Sequence, residues 1–225
     1  MRLLALDTSM GNCSAAVASE TGAILAYRQA AMARGHAEAL MPMIEAAMAE
    51  SGLVFSDLDR VAATTGPGSF TGVRIAIAAA RGLGLATGAE LWGTDSLSVM
   101  AARAAEEGLN DGAPFAIAVD ARRDSLYFAT FAADGTLRAG PALLHPDEAA
   151  ASLPEDSRLV LGSGAAALAE AAKPDLATAA PDLQPDAAAL AKLAGQAPEP
   201  ISALKPFYLR PPDAKPQTGK AVERL

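Results

Sequence analysis

Cysteine, histidine and aromatic residues are scarce in this 225-residue chain. The first two scarcities bear on disulfide bonds and metal sites. A single cysteine, Cys13, excludes an internal disulfide framework and fits a reducing compartment. The two histidines, His36 and His145, stand apart without a cysteine cluster, so we expect no metal site. No apolar run approaches the ~18 residues of a membrane span, and the apolar segment before Asp7 is too short for a secretory signal. We therefore expect a cytoplasmic protein without a membrane anchor.

Basic residues are fewer than acidic residues. The chain has 18 Lys and Arg against 26 Asp and Glu, which gives a net charge of −8. A protein that grips nucleic acid by itself normally carries a basic patch, so another protein would have to hold most of any RNA involved. Hydrophobic residues make up 51% and aromatic residues 4%, a composition typical of an Ala/Leu/Val-rich α/β protein. The length allows one large domain or two small ones.

The predicted elements form a repeat. Three strands are followed by alternating helices and strands, and the same order begins again near Pro114. Leu4–Asp7 aligns with Ile117–Asp120, and Gly22 aligns with Gly135, at one offset (120 − 7 = 113 and 135 − 22 = 113). The pattern predicts two tandem α/β lobes, over residues 1–105 and 106–225, with a proline-rich tail in the second.

Three glycines mark the stretch Gly66–Arg74, which follows a short apolar strand and leads into a helix. Glycine permits close backbone approach, and Ser69 or Thr71 can cap the helix. A loop of this kind can hold an anion or seat another backbone against it. It is not a Walker A loop, because no Gly-Lys-Ser/Thr follows.

Two predicted helices, at 37–51 and 70–86, carry more apolar surface than one small core should need. The first has an apolar stripe at helical spacing, and the second is apolar nearly all round except for Arg74 and Arg81. Such helices are buried in a core or against another chain. The residues predicted to form a partner interface are His36, Leu40, Met43, Ile44, Ala47, Met48, Phe70, Val73, Arg74, Ile77, Ala78 and Arg81. The alternative for His36 is a polar residue near a helix start.

Five motifs together resemble one family. They are Leu6-Asp7-Thr8-Ser9, the lone His36 before a helix, Gly66–Arg74, Asp120-Ala121-Arg122, and Phe207-Tyr208-Leu209-Arg210. The combination is similar to the TsaB family of bacterial tRNA threonylcarbamoyladenosine biosynthesis proteins, in the actin, sugar kinase and Hsp70 superfamily. The resemblance implies tandem duplicated actin-like lobes with a ribonuclease H-like topology.

The resemblance also implies a non-catalytic scaffold with no required cofactor and no metal. Its expected partners are TsaD and TsaE, with a homodimer when the chain is alone and tRNA contacted only through the complex. Asp7, Thr8, Ser9 and Gly11 match the superfamily's first phosphate loop, and an adenine nucleotide is conceivable at a complex interface. The second hairpin, which contains Arg122 and Arg123 but no glycine, argues against a closed kinase-like cleft.

One alternative is a regulator that binds adenine nucleotide and interacts with several proteins. The other alternative is a stand-alone enzyme of the actin fold, either a small-molecule kinase or a metallopeptidase. The resemblance counts against it, because the catalytic paralogue binds metal through two histidines four residues apart. Here the residue four positions after His36 is Leu40. At the other end of the chain, Phe207, Tyr208 and Leu209 are predicted to dock the proline-rich tail, residues 196–216, onto the body of the protein, and the alternative is a direct contact with substrate or a partner.

Overall fold

Two five-stranded mixed sheets with helices packed on them make up the computed structural model, which describes residues 1–172, 175–197 and 204–210. Most of the predicted proline-rich tail lies outside the described residues. None of the helices in the described ranges has the length and apolar character needed to cross a bilayer.

The first sheet is built from the N-terminal unit. Its strands are β1 (Leu3–Asp7), β2 (Asn12–Ala18), β3 (Ile24–Ala31), β4 (Arg60–Thr64) and β5 (Glu90–Thr94). Its helices are α1 (His36–Ser51), α2 (Phe70–Thr87) and α3 (Ser96–Glu106), with a short 3-10 helix at Phe55–Asp57. Left-handed glycines, Gly52 and Gly88, end α1 and α2, where a side chain would be strained.

The second sheet repeats the pattern. Its strands are β6 (Phe115–Asp120), β7 (Leu126–Phe131), β8 (Leu137–Leu144), β9 (Leu159–Leu161) and β10 (Ala177–Ala179). The helices are α4 (Pro146–Ala151), α5 (Ala165–Ala171) and α6 (Ala187–Gln196). The sequence did not indicate β8 and β10, because β8 is interrupted by Gly140-Pro141 and β10 has three residues.

The two sheets have the same topology. The strand orders are β3-β2-β1-β4-β5 and β8-β7-β6-β9-β10, so β1 and β6 occupy equivalent central positions. Each central strand is antiparallel to the next strand in the chain and parallel to the fourth of its unit. Gly22 and Gly135 occupy the matching hairpin turns with φ of 81° and 82°. The predicted duplication and the actin-like fold class are confirmed.

The last helix of each unit packs on the other unit's sheet. Leu97 and Met100 of α3 lie in one core with Phe115 and Ile117 of the second sheet. Conversely, the buried face of α6 packs on the first sheet, where its neighbours include the fully buried Trp92. The boundary predicted at 105/106 therefore separates the sheets but not the cores. This exchange ties the two lobes together.

Candidate functional site

The glycine loop packs against the turn between β1 and β2. A Cβ atom at Gly68 would lie 2.2 Å from the Ser9 carbonyl oxygen, and one at Gly72 would lie 2.0 Å from the Thr8 carbonyl oxygen. Both glycines are therefore required by close backbone approach. Of the two alternatives left open by the sequence, the loop seats another backbone of its own chain.

Hydrogen bonds join the N-terminal end of α2 to the turn between β1 and β2. The Ser69 amide donates to the Ser9 carbonyl at 2.7 Å, and the Ser69 hydroxyl accepts from the Gly72 amide at 3.3 Å. The Thr8 hydroxyl donates to the Gly72 carbonyl at 2.6 Å and accepts from the Ala76 amide at 3.2 Å. Two of the backbone N–H groups that an anion would need at this helix end, those of Ser69 and Gly72, are therefore already paired.

Asp7, at the end of β1, is fully buried beside this contact. Its Oδ1 accepts hydrogen bonds from the Thr64 hydroxyl at 2.5 Å, the Ser9 hydroxyl at 2.7 Å and the Ser9 amide at 3.2 Å. Its Oδ2 has no hydrogen-bond partner. Burial raises the pKa of Asp7 to about 6, and the hydrogen bonds offset only part of that shift.

The predicted phosphate loop requires a correction. Asp7, Thr8 and Ser9 each have 0% of their surface exposed, so these three residues do not line an open cleft. Gly11 is exposed, and its amide donates to Oε1 of Gln184, just before α6, at 3.0 Å. No sequence signal indicated Gln184, because this contact spans 173 positions and depends on the exchange of helices.

An open cleft does lie beside the loop, with a volume of about 650 Å³. Its walls include Gly11, Arg34, His36, Thr71 and Arg122. The imidazole Nε2 of His36 is 3.1 Å from the Met10 carbonyl, which ties α1 to the first hairpin.

The second hairpin departs from a phosphate loop. Arg122, Arg123 and Asp124 all adopt left-handed backbone conformations, with φ of 62°, 54° and 52°. Such conformations are strained for residues with side chains. These side chains stand where the superfamily's phosphate loop, as implied by the resemblance, presents bare backbone.

The described residues contain no group of three or more His, Cys, Asp or Glu that could hold a metal ion. Leu40, four positions after His36, is 1% exposed and belongs to the core of the first lobe. The paired-histidine ligand set implied for the catalytic paralogue therefore does not fit the residues of α1.

The predicted partner surface also needs correction. Half of its twelve residues face the first lobe's own core, because α1 and α2 cover one side of that sheet. These buried residues are Leu40, Ile44, Ala47, Met48, Val73 and Ile77, each at most 3% exposed. His36 and Met43 are half-buried. Periodicity located the apolar stripes correctly but did not say what covered them.

Four of the predicted interface residues are exposed, and all four lie on α2: Phe70, Arg74, Ala78 and Arg81. Leu85, which was not predicted, continues this face with 90% of its surface exposed. On α1, Met41 is 40% exposed. An outward face on α1 and α2 therefore remains available for another chain.

Residues 204–210, called the strap below, lie along this face. The Phe207 amide donates to the Thr65 carbonyl at 2.7 Å, and the Arg81 guanidinium donates to the Leu204 carbonyl at 2.6 and 3.1 Å. Leu204 is buried, whereas Phe207 and Tyr208 are exposed. The described part of the predicted tail therefore docks on the first lobe, through Leu204 and main-chain bonds as well as the predicted Tyr208, whose ring stacks on Phe70.

Comparison with known proteins gives a consistent result. The family model of TsaD, tRNA N6-adenosine threonylcarbamoyltransferase, matches residues 28–197. An uncharacterized protein of Mycobacterium tuberculosis is 34% identical over 215 residues, covering 95% of this chain and 94% of its own. The solved structure of YeaZ from Pseudomonas aeruginosa superposes with a TM-score of 0.80 at 35% identity, covering 92% of this chain and 99% of that one. The TsaB protein of Escherichia coli is 35% identical over 134 residues, or 60% of this chain and 56% of the E. coli protein.

The duplicated lobes and the family model together define an actin-like protein related to the threonylcarbamoyltransferase TsaD. Within that class, the chain belongs to the TsaB/YeaZ family. Curated members of this family are named as tRNA threonylcarbamoyladenosine biosynthesis proteins. The family predicted from the five motifs is confirmed.

Proposed function

We propose that this chain is a non-catalytic subunit in the synthesis of threonylcarbamoyladenosine at position 37 of tRNA. In this proposal it binds a TsaD-type transferase, which carries out the chemistry, and it supports the action of a TsaE-type partner. The chain contacts tRNA only within the complex, in keeping with its net charge of −8.

The observation that carries this proposal is the burial of the polar residues in the first hairpin. Asp7, Thr8 and Ser9 are fully buried, and the Ser9 carbonyl accepts a hydrogen bond from the Ser69 amide. An enzyme of this fold would have to present these groups to a phosphate or a metal. Here they serve packing between the hairpin and α2, which favours a structural role for the lobe.

A second copy is the expected partner when the chain is alone, and charge patterning supports this. Glu38 and Glu45 are exposed on α1 seven positions apart, with the exposed Met41 between them. On α2, Arg74 and Arg81 are exposed with the same separation, with the small Ala78 between them. An isologous pairing of α1 with α2 of a second copy would match opposite charges and place a large residue against a small one.

The test is association with the TsaD-type protein of the same cell, measured by co-purification and titration calorimetry. Ala78→Glu places a carboxylate at the centre of the outward face of α2, one turn from both Arg74 and Arg81. There it competes with partner carboxylates for these arginines, and we expect it to weaken binding by about 10-fold or more. Ala167→Glu is the matched control, because Ala167 is an exposed alanine of α5 in the second lobe. Both variants must keep the wild-type unfolding transition.

The same titrations define the result that contradicts the proposal. If the wild-type chain does not bind the TsaD-type protein, or if tRNA modification proceeds equally well without it, the proposed role is wrong. If Ala78→Glu and Ala167→Glu bind equally tightly, the role survives but the docking face is elsewhere.

A further inference from the structure

The exposed aromatic residues of the described chain lie at the start of α2 and in the strap. Phe70 is 54% exposed, Tyr208 44% and Phe207 39%, and every other aromatic side chain in the described ranges is buried or half-buried. Phe70 begins α2, and the other two belong to the strap. We call these three residues, together with Arg74, the aromatic patch.

Stacking and a hydrogen bond join Phe70, Tyr208 and Arg74 of the patch. The Phe70 and Tyr208 rings stack with centroids 5.5 Å apart and an interplanar angle of 24°. The guanidinium carbon of Arg74 lies 3.6 Å from the centre of the Phe70 ring, and its Nε donates to the Tyr208 hydroxyl at 2.7 Å. A surface held in place before binding loses little conformational entropy when a partner docks.

Main-chain carbonyls and amides also hold the strap in place. Main-chain bonds from Phe207 to Thr65 and from Arg81 to Leu204 hold it on the first lobe. Arg210 donates to the Arg122 carbonyl at 3.1 Å, which fixes the end of the strap on the second lobe. Large rings that remain exposed although the backbone beneath them is fixed are typical of interface hot spots, which are enriched in Tyr and Arg.

The arginines around the patch donate hydrogen bonds to neutral acceptors. Arg74, Arg81 and Arg210 donate to a hydroxyl and to carbonyls, and none forms an ion pair with a carboxylate of the described residues. Elsewhere the chain does pair its arginines, as in Arg138 with Asp156 and Arg103 with Asp186. On a chain of net charge −8, three arginines that bind no carboxylate of the described residues favour an acidic partner at this site.

We propose that the strap and the start of α2 form the hot spot of the partner-docking face. The fitting partner is a protein that places an apolar side chain on the Phe70–Tyr208 stack and a carboxylate near Arg74. The identity of that partner as the TsaD-type protein rests on the proposed function. The strap lies beyond residue 197, where the TsaD family model stops matching. It therefore supplies a contact that the shared actin-like lobes do not.

The experiment compares patch variants with matched controls in calorimetric titrations against the TsaD-type protein. Tyr208→Ala and Phe70→Ala are each expected to weaken binding by about 10-fold or more, the usual effect of losing a hot-spot ring. Val54→Ala, which truncates a residue 61% exposed on the first lobe, should stay within about 2-fold of wild type. Tyr208→Phe keeps the ring and should recover most of the affinity.

The charge part of the proposal has its own readout. Arg74→Gln should weaken binding at low salt and reduce the dependence of affinity on ionic strength, because a pair with a partner carboxylate is screened by salt. Arg138→Gln, on the second lobe, should change neither quantity. Thermal unfolding of each variant separates lost affinity from lost folding.

The outcomes separate this inference from the proposed function. If patch variants bind as wild type while Ala78→Glu does not, the hot-spot assignment is overturned and the proposed docking face stands. If none of the variants weakens binding, the hot-spot assignment and the docking face on α2 are both wrong, whereas the proposed role fails only if the wild-type chain does not bind the TsaD-type protein. If the patch variants lose RNA binding and keep protein affinity, the occupant is RNA and the inference is likewise overturned.

Discussion

Gly72→Ala tests the contact between the first hairpin and α2 more directly than any other substitution. The added methyl would lie 2.0 Å from the Thr8 carbonyl oxygen, so α2 and the first hairpin must separate. Overpacking of this kind costs about 1–3 kcal/mol. Separation also strains the hydrogen bonds of Thr8 with Gly72 and Ala76, at about 1 kcal/mol each. We expect a total loss of roughly 3–5 kcal/mol in the free energy of unfolding.

The assay is urea unfolding followed by the fluorescence of Trp92, the single tryptophan, which is fully buried. Gly82→Ala is the matched control, because Gly82 lies in the same helix and an added Cβ would meet nothing within 4 Å. That control should gain about 0.5–1 kcal/mol from helix propensity. The two substitutions make the same chemical change and should shift the midpoint in opposite directions.

A Gly72→Ala variant within about 0.5 kcal/mol of wild type would refute the reasoning, since surface changes of no consequence fall in that range. It would mean that the contact between the glycine loop and the hairpin gives way easily. The buried state of Asp7, Thr8 and Ser9 would then no longer argue for a structural role.

Three other predictions follow from buried polar groups. The pKa of Asp7 is about 6 in the fold against 3.8 for the free side chain. The folded chain therefore binds more protons than the unfolded chain between these values, and stability should fall as the pH rises through them. Relative to Asp7→Asn, wild type should lose up to ~3 kcal/mol over this window, and an absent slope in urea unfolding would contradict it. Burial raises the pKa of Cys13 to about 11, so its thiol should resist a maleimide at neutral pH until urea unfolds the chain. Arg60 is 2% exposed and bonds to Glu90 and the carbonyls of Ala194 and Ala197. Arg60→Ala should lower the free energy of unfolding by roughly 3 kcal/mol, whereas the exposed Arg138→Ala should change it by under ~1 kcal/mol.

Much of the fold could be predicted because local and repeated signals agreed. The alignment of Leu4–Asp7 with Ile117–Asp120 identified the two central strands, and the helices predicted at 37–51 and 70–86 each differ from α1 and α2 by one residue at one end. The reciprocal packing of α3 and α6 could not be predicted. An apolar helix face predicts that the face is buried, but it does not predict which sheet buries it.

The candidate site was less predictable for the same reason. Asp7, Thr8 and Ser9 are a polar run that sequence reasoning places at a surface, yet Gly68 and Gly72 bring a second backbone over them. The apolar stripe of α1 likewise has two physical explanations, a core and a partner, and the structure gives it to the core. What remained exposed, such as Phe70 and Arg74, was in the sequence-based set but could not be separated from its buried neighbours.

The most direct measurement of the central claim is threonylcarbamoylation of tRNA by the TsaD-type protein, with this chain supplied as wild type or as variants. The account predicts that modification requires the chain, persists with Asp120→Asn and Arg122→Gln in its second hairpin, and is lost with Ala78→Glu. Full modification without the chain would contradict the account. So would loss of modification in the hairpin variants while their affinity for the TsaD-type protein stays unchanged, because this chain would then take part in the chemistry itself.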